Sequence, residues 1–424
     1  MTGRKKCMIA VTAVLLAVML GLSALLCVRL WPRIDGRVYM DGRPMDRREI
    51  ASYQGTYGGR DLLCKPSLSG EPLLLYNALQ YAYEHHVATL RLHTRAIYSF
   101  EDIMWLVSML KADQPHFMTT LVRGQFGVER DEAGYLTVDI PESELAYIVD
   151  ERGMDEAGRQ LKDITVMPTG YLGQEASAAY DIYAYMVRAI DYQAEGDSAE
   201  GLGWNFTIKG ALLDKKAQCN GIAGAFQLFC RMKGIACYKV YYRGKDTGRD
   251  YGHVWNVVRL DGQWYHVDVT AAIQYKQTQQ AYFEKEGLSP DYILPDYFGM
   301  SDAEVLTGGI SYTGPLTGKV PACPMPLAER DNLYDAAVEA GEADFAAAAD
   351  RAGAFLADRQ QQSVPAVRIR FANEEALAAF RGNLFQGERY IERLMAGVDR
   401  PAQVHVMRNG FTLYLYLQLE TGSK

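Results

Sequence analysis

The pattern of apolar and polar positions divides the chain into three regions, and the first of them mixes helix and strand patterns. Stretches with apolar residues at helical spacing alternate with stretches of period two. In order, they predict a helix, a strand, a helix and two strands: residues 73–86, 87–94, 99–113, 119–129 and 135–140. Ser99 is the expected N-cap of the second helix, which stops before Pro115. We predict a small α/β domain over residues 32–166, preceded by a Gly- and Arg-rich tether at residues 31–60.

The middle region has a different pattern, in which helix precedes strand. One amphipathic helix and three short strands are predicted at residues 177–192, 236–244, 253–260 and 263–270. Another helical pattern begins just after Cys219. A helix followed by antiparallel strands is typical of an α+β domain. We place this central domain at residues 167–300, and the predicted fold class of the whole chain is α+β.

The last region repeats the element order of the first. A strand, a helical stretch and a hairpin are predicted at residues 366–373, 374–396 and 402–420. Asn409 and Gly410 form a strong type I′ turn signal for the hairpin. The Ala-rich stretch at residues 332–362 is predicted to be a helix that ends in a polar linker. We therefore expect a helical linker over residues 301–361 and a C-terminal strand-helix-hairpin domain over residues 362–424.

The N-terminus carries an uncharged apolar run at residues 7–28, preceded by three basic residues. The run is long enough to span a bilayer as a helix. It lacks the small-residue exit of a cleaved signal peptide, and Leu26 is a poor residue before a lipidated Cys27. We predict a cytoplasmic tail and transmembrane anchor over residues 1–31. Because large domains translocate largely regardless of flanking charge, the bulk of the chain is expected outside the cell membrane.

Composition and charge narrow the function. The 424 residues are 49% hydrophobic and 23% charged, as in a globular protein with more than one core. The net charge of −8 argues against a general nucleic-acid binder. The cysteines outside the apolar run are odd in number and irregular in spacing, so they form no disulfide framework: Cys64, Cys219, Cys230, Cys237 and Cys323. Cys230 and Cys237 are either two buried thiols or a bridge from a helix end to the next strand.

Cys219 stands at the junction where a helical pattern starts, in the stretch KAQCNGIAGAF. A free cysteine there can serve packing, as a small hydrophobe. It can also serve chemistry, because a helix N-terminus favours the thiolate. Gly221, Ala223, Gly224 and Ala225 provide a smooth helix face on which a strand can pack closely.

The predicted hairpin places an imidazole and a carboxylate near one another. Asp261 and Gly262 are a two-residue turn signal. With that loop, Trp255 faces Asp268 across the strands, and His253 shares the face of Trp255. His253 and Asp268 are then diagonal neighbours within side-chain reach. A three-residue loop would move Asp268 to the opposite face.

This pair has an obvious use beside Cys219. An imidazole can take the proton of a thiol, and a carboxylate can orient the ring and stabilise its charge. The predicted catalytic residues are therefore Cys219 as nucleophile, His253 as base and Asp268 as orienting acid.

Two alternatives use other side chains. His266 shares a face with Asp268 and is the nearest rival base, but the sequence offers it no obvious carboxylate. A zinc site is a poor alternative because no close CxxC or HxxxH pair anchors its four ligands, Cys230, Cys237, His253 and His266.

The segments CNGIAGAF, HVWNVVRLDGQWYHVDVT and PDYFGMSD resemble the transglutaminase-like superfamily of thiol enzymes. The resemblance covers residues 176–300 and implies a papain/transglutaminase-like domain made of a helix and an antiparallel sheet. Residue by residue, Cys219 matches the nucleophile of that family, His253 its base and Asp268 its acid. The region ahead of this domain is similar, more weakly, to that of membrane-anchored bacterial members.

The resemblance also implies residues around the triad. Trp255 and Asn256 match framework positions of the family, and with Trp204 they are our candidates for substrate binding. The family usually has Gly and Tyr where this chain has Ala217 and Ile222. Because these differences fall near the substrate channel, they bear on specificity more than on the triad.

The sequence thus predicts a membrane-anchored thiol enzyme that acts on amide bonds, either a cysteine acyltransferase or a cysteine peptidase or amidase. The expected partners are the membrane and a protein or cell-wall peptide substrate, with no nucleic acid. No metal ion or organic cofactor is implied, and no EF-hand loop is seen. The alternative is a non-catalytic surface scaffold or binding protein built on a transglutaminase-like domain.

Overall fold

The computed structural model of the chain describes residues 36–55, 62–117, 126–146, 151–164, 173–193, 206–243, 252–286, 296–305, 311–313, 320–324, 327, 336–338, 342–360, 366–409 and 412–419. The predicted anchor and Trp204 lie outside these ranges. Within them, no helix combines the length and the apolar composition that crossing a bilayer requires. The described elements mix helices with mainly antiparallel sheets, which confirms the α+β class.

The first sheet has five antiparallel strands in the order β2-β1-β3-β5-β4. They are β1 (Arg37–Met40), β2 (Arg43–Asp46), β3 (Thr89–His93), β4 (Gly127–Arg130) and β5 (Tyr135–Asp139). The hairpin β1–β2 lies inside the predicted tether, and that prediction is wrong here. Val38 and Met40 enter the hydrophobic core, and Asp41 and Gly42 turn the chain with φ of 48° and 75°.

Four helices accompany this sheet: α1 (Arg47–Ala51), α2 (Gly70–Glu84), α3 (Phe100–Asp113) and α4 (Glu142–Ala146). α3 begins at the predicted N-cap. The Asp102 N–H donates to Ser99 Oγ at 3.2 Å, and the Ser99 N–H donates to the Asp102 carboxylate at 2.9 Å. This reciprocal capping box satisfies two backbone donors at the helix start. α3 ends ahead of Pro115, as predicted.

The central sheet has five antiparallel strands in the order β11-β10-β9-β8-β12, and a separate parallel pair is formed by β6 and β7. The strands are β6 (Asp191–Tyr192), β7 (Lys216–Ala217), β8 (Cys237–Arg243), β9 (Gly252–Leu260), β10 (Gln263–Val267), β11 (Phe298–Met300) and β12 (Ser311–Thr313). The helices are α5 (Glu151–Asp163), α6 (Gln174–Ala189), α7 (Cys219–Met232), α8 (Val269–Glu286) and α9 (Asp302–Val305). The predicted strand 263–270 is shorter than expected, because α8 starts at Val269.

The C-terminal sheet has the order β13-β14-β16-β15, with β13 parallel to β14. Its elements are β13 (Ala336–Val338), α10 (Glu342–Arg359), β14 (Ala366–Phe371), α11 (Glu374–Gly382), α12 (Tyr390–Met395), β15 (Ala402–Asn409) and β16 (Thr412–Leu419). The predicted helix 374–396 is two helices, and the predicted helix 332–362 includes a strand. Asn409 pairs with Thr412, so Asn409 belongs to β15 and not to the turn in which it was predicted.

The cores of these units are not separate. Trp255 and Val257 of β9, with Tyr238 and Val240 of β8, pack into the hydrophobic cluster of the first sheet and its helices. The opposite face of the central sheet covers α7, whose middle is buried. β9 is therefore buried on both faces, which restrains the side chains it carries.

Candidate active site

Cys219 is the first residue of α7 and is half-buried. Lys215 adopts a left-handed conformation (φ 57°, ψ 24°), and the extended Gln218 then serves as the N-cap. The Ile222 N–H donates to the Gln218 carbonyl at 3.0 Å, which closes the first helical turn. The sulfur therefore lies at the positive end of the helix dipole.

The hairpin has the predicted register. Gln263 pairs with Leu260, and the two-residue turn is made by Asp261 (φ 48°) and Gly262 (φ 90°). Positive φ at both turn residues is what a type I′ turn requires. The pairing continues to Val267 opposite Asn256, so Asp268 follows directly at the end of β10.

His253 and Asp268 are in contact, as the register requires. His253 Nε2 lies 2.7 Å from Asp268 Oδ2. The other carboxylate oxygen, Oδ1, accepts from the Ala271 N–H at 2.9 Å, and the Asp268 N–H donates to the Tyr297 carbonyl at 2.8 Å. The carboxylate is thus held at the start of α8 and can hold the imidazole in turn.

The Cys219 sulfur lies close enough to the His253 ring to contribute to the pKa of that ring. Burial alone would lower the pKa of His253, but the charge of Asp268, its hydrogen bond and the nearby Cys219 outweigh it and raise the pKa to about 10. Since Nε2 is taken by Asp268, Nδ1 is the ring nitrogen left to face the sulfur. All three predicted catalytic side chains therefore converge at the tip of α7.

Two tyrosines lie close enough to Cys219 for its sulfur to affect their pKa values. Burial and the Cys219 sulfur raise the pKa of Tyr192, and the same two causes raise the pKa of the buried Tyr241. Both phenols are neutral at physiological pH.

The residues next to the triad fix it in place. The Asn256 side chain is 0% exposed and donates to the Ala223 carbonyl at 3.0 Å, which joins β9 to α7. Trp255 is 3% exposed, and its ring stacks on that of His253. Both therefore occupy framework positions in this structure.

His266 has the carboxylate partner that the sequence did not reveal. Its Nε2 lies 2.9 Å from Asp302 Oδ1, and its Nδ1 accepts from Trp255 Nε1 at 3.0 Å. Burial lowers the pKa of His266 despite the nearby Asp302. The ring is therefore neutral, wholly buried and occupied at both nitrogens. Asp302 is the last residue of the PDYFGMSD segment, and nothing in that segment pairs it with His266.

The metal-binding alternative can be tested on the same residues. Among the described residues, the His, Cys and acidic groups that converge are His266, Asp302 and Cys323, with ligand atoms within 4.8 Å of one another. The Asp302 oxygens already accept from His266 and from the Cys323 N–H at 2.8 Å. Burial and Asp302 raise the pKa of the Cys323 thiol to about 12, which disfavours the thiolate a metal would need. These three residues are therefore joined to one another by hydrogen bonds through Asp302.

The earlier zinc set is not assembled in the part of the chain that the structure describes. Cys230 and Cys237 are free, buried and hydrogen-bonded to each other, which raises the pKa of Cys230 further above the level set by burial. The two-thiol interpretation of this pair is therefore the one observed.

Residues 165–269 match the family described as the transglutaminase-like superfamily. The chain is 31% identical over 97 residues to the kyphoscoliosis peptidase of Mus musculus and 36% identical over 67 residues to that of Homo sapiens. These matches cover 21% and 14% of this chain, and 14% and 10% of the two relatives. The matched segment is therefore a small part of each curated relative.

Among solved structures, the crystal structure of a TGase is similar at 14% identity and a TM-score of 0.24. That match covers 34% of this chain and 43% of the TGase chain, and at this score it carries no argument. The similarity to known proteins rests on the family match over residues 165–269 and on the two peptidases. The peptidases align with less than a quarter of the chain. Residues 165–269, in the central domain, are therefore similar to the transglutaminase-like superfamily.

Proposed function

We propose that this protein is a thiol enzyme that acts on amide bonds through Cys219, His253 and Asp268. One observation carries the proposal: His253 bonds to the Asp268 carboxylate at 2.7 Å, close to the Cys219 sulfur at the N-terminus of α7. Nucleophile, base and orienting acid in this order form the arrangement that activates a thiol.

The resting state follows from the charge of His253. With a pKa raised to about 10, the imidazole is protonated at neutral pH. An imidazolium beside a thiol favours the thiolate, which is the nucleophilic form. The helix dipole at Cys219 adds to this preference.

In the first half-reaction, the Cys219 thiolate attacks the carbonyl carbon of the amide and forms a C–S bond. The carbonyl electrons move to oxygen, and the N–H groups of the first turn of α7, which have no intrahelical acceptor, are suited to stabilise that oxyanion. His253 then donates its proton to the leaving nitrogen as the C–N bond breaks. The products are a free amine, a thioester on Cys219 and a neutral imidazole.

In the second half-reaction, water or an amine attacks the thioester while His253 takes its proton. The C–S bond breaks, and the thiolate–imidazolium pair returns. Water gives a carboxylic acid, as in a peptidase or amidase, and an amine gives a new amide, as in a cross-linking acyltransferase. The matched relatives are peptidases, and the reaction products distinguish water from an amine as the acceptor.

His253 is assigned as the base rather than His266 because of access. His266 is 0% exposed, and both of its ring nitrogens are occupied by Trp255 and Asp302. A base must reach the proton that it transfers. His266 is therefore assigned a positioning role.

We extend the proposal to location and substrate on the basis of sequence. The apolar run at residues 7–28 would anchor the enzyme in the cell membrane, with the bulk of the chain outside. The substrate would then be a protein or a cell-wall peptide. Protease digestion of intact cells, with detection of the residues beyond 60, tests this arrangement.

The catalytic proposal is tested by the reactivity of the thiol. Iodoacetamide labelling of the full chain is followed across pH, and the modified cysteines are mapped by mass spectrometry. We expect rapid labelling of Cys219 at pH 6 and slow labelling of the buried Cys323, which serves as an internal reference. His253→Ala should slow the labelling of Cys219 alone.

A second readout identifies the reaction. Peptide and cell-wall amide substrates are incubated with the protein, and Cys219→Ala is the control. Formation of a new acid or a new amide that is lost in the control supports the proposal. Labelling of Cys219 no faster than Cys323, with no product from any amide, would favour the non-catalytic scaffold instead.

A further inference from the structure

A cavity of about 640 Å³ lies at the other end of α7 from Cys219. It is enclosed by the turn at Pro115–Phe117, by α5 and by the last turn of α7. Arg231 in that turn is roughly 18 Å from Cys219 along the helix axis at 1.5 Å per residue. The volume is in the range of sites for small organic ligands. Nothing in the proposed reaction uses this cavity.

Two buried donors in the cavity wall have no acceptor. Gln114 is 2% exposed, and its Nε2 makes no hydrogen bond among the described residues. The Nη2 of Arg231 is inaccessible to solvent and also makes none. Buried polar groups are almost always paired, so the two donors, on residues that line one cavity, lack an acceptor that the described residues do not supply.

Neither the end of α7 nor Asp113 supplies an acceptor for Arg231 Nη2. The last carbonyls of α7 accept from the backbone N–H groups of residues 233–235, so the side chain does not cap the helix. Asp113 acts on Arg231 through its charge, but its oxygens accept from the N–H groups of residues 63–65 and from Tyr76 Oη. The Nη2 hydrogens of Arg231 thus have no acceptor among the described residues.

The charge of the cavity favours an anion. Arg231, Arg159 and Lys162 line it, against Asp155 as the one acidic residue of the described lining. Arg159 pairs with Glu156 outside the cavity, which leaves Arg231 and Lys162 as the main cations. Burial and the charge of Arg231 lower the pKa of His116 to about 3, so this neighbouring ring is neutral.

The rest of the wall is apolar, from Pro115, Met154, Leu228 and Met232. An inorganic ion would leave these side chains unused. We propose that the cavity binds a small organic anion with an apolar body, its anionic group held by Arg231 and Lys162 and its body packed on the methionines. The carboxylate of a medium-length acyl chain has this chemistry.

Calorimetric titration of the full chain with octanoate tests the proposal, with octanol as the probe that keeps the body and lacks the charge. We expect one octanoate site and binding of octanol weaker by roughly tenfold or more, since hydrogen bonds to charged groups carry that much energy. Inorganic phosphate should compete poorly. Octanol binding as tightly as octanoate, or phosphate displacing octanoate at equal concentration, would overturn the proposal.

Variants locate the site. Arg231→Gln should weaken octanoate binding roughly tenfold or more, and Lys162→Gln roughly two- to fivefold because its charge is exposed. Lys233→Gln is the matched control, since it removes a nearby charge that does not line the cavity, and should change nothing. If Arg231→Gln does not fold, octanoate binding by the Lys162→Gln variant decides whether the cavity is the site. Octanoate binding unchanged in Lys162→Gln, or equally weakened in Lys233→Gln, would show that the cavity is not the site.

Discussion

The indole of Trp255 lies against the imidazole of His253, with ring centroids 5.6 Å apart and planes inclined by 26°. The same indole donates to His266 Nδ1 at 3.0 Å, and His266 Nε2 contacts Asp302 at 2.9 Å. A buried chain of hydrogen bonds therefore fixes the Trp255 ring, on which the ring of the candidate base His253 stacks. Asp302 is in turn held by the backbone N–H of Cys323.

Trp255→Phe should keep the stacked ring and remove its N–H donor. His266 Nδ1 would then be buried without a partner, at a cost of about 1–3 kcal/mol in the free energy of unfolding. We expect kcat/KM to fall about tenfold, mostly in kcat, because the His253 ring is less well oriented. Steady-state kinetics and urea denaturation of the same samples measure the two effects.

The matched control for this prediction is Trp264→Phe. Trp264 stacks on Tyr238 at 5.5 Å and is not part of the chain that leads to Asp302. The Trp264→Phe variant should be less stable than wild type but should keep its kcat. An equal loss of kcat in both variants would mean that Trp255 acts only by supporting the fold.

The His253–Asp268 contact could be predicted from sequence because local chemistry fixes the strand register. Asp261 and Gly262 supply the two positive φ values of a type I′ turn, and period-two alternation then decides which side chains share a face. The position of Cys219 followed from the helical pattern that begins there. Each of these signals spans only a few residues.

The partner of His266 could not be predicted in the same way. Asp302 is 36 residues further along the chain and reaches His266 because β11 pairs with β10 and α9 follows it. No local pattern encodes that approach. The shared core could not be predicted for a related reason: the run VWNVV indicates a strand but not what covers its second face, where Trp255 and Val257 meet the N-terminal unit.

Gly353→Ala should destabilise the C-terminal unit because α10 and α12 meet closely there. An added Cβ would lie 2.6 Å from the Arg393 carbonyl oxygen and 3.1 Å from Leu394 Cα. Relief of such overlap costs about 1–3 kcal/mol, more than the helix propensity gained. Gly382→Ala is the control, since nothing lies within 4 Å of its added Cβ. Urea denaturation should show loss of stability in the first variant and none in the second.

Asp268→Asn should change the pH dependence of catalysis. At the resting state the His253 pKa of about 10 depends on the charge and hydrogen bond of Asp268. Without that charge, burial dominates and the pKa falls toward or below its ordinary value. The high-pH limb of kcat/KM should therefore move from near pH 10 to lower pH, and the maximum should fall by roughly a hundredfold. A high-pH limb that stays in place in this variant would assign it to another group.

The same pKa makes a prediction about stability that does not require a substrate. His253 has an ordinary pKa of 6.5, which we take for the unfolded chain, and about 10 in the folded protein, so the folded state binds the proton more tightly. This contribution to stability is fully present below about pH 6.5 and is lost as the pH rises toward 10. His253→Gln removes it, so the difference in free energy of unfolding between wild type and variant should shrink across that interval. Urea denaturation at pH 6, 8 and 10 measures this difference. The corresponding difference between wild type and Asp268→Asn should also shrink as the pH rises. A difference that is constant with pH would mean that His253 is neutral in the folded protein, and the thiolate–imidazolium pair would have to be abandoned.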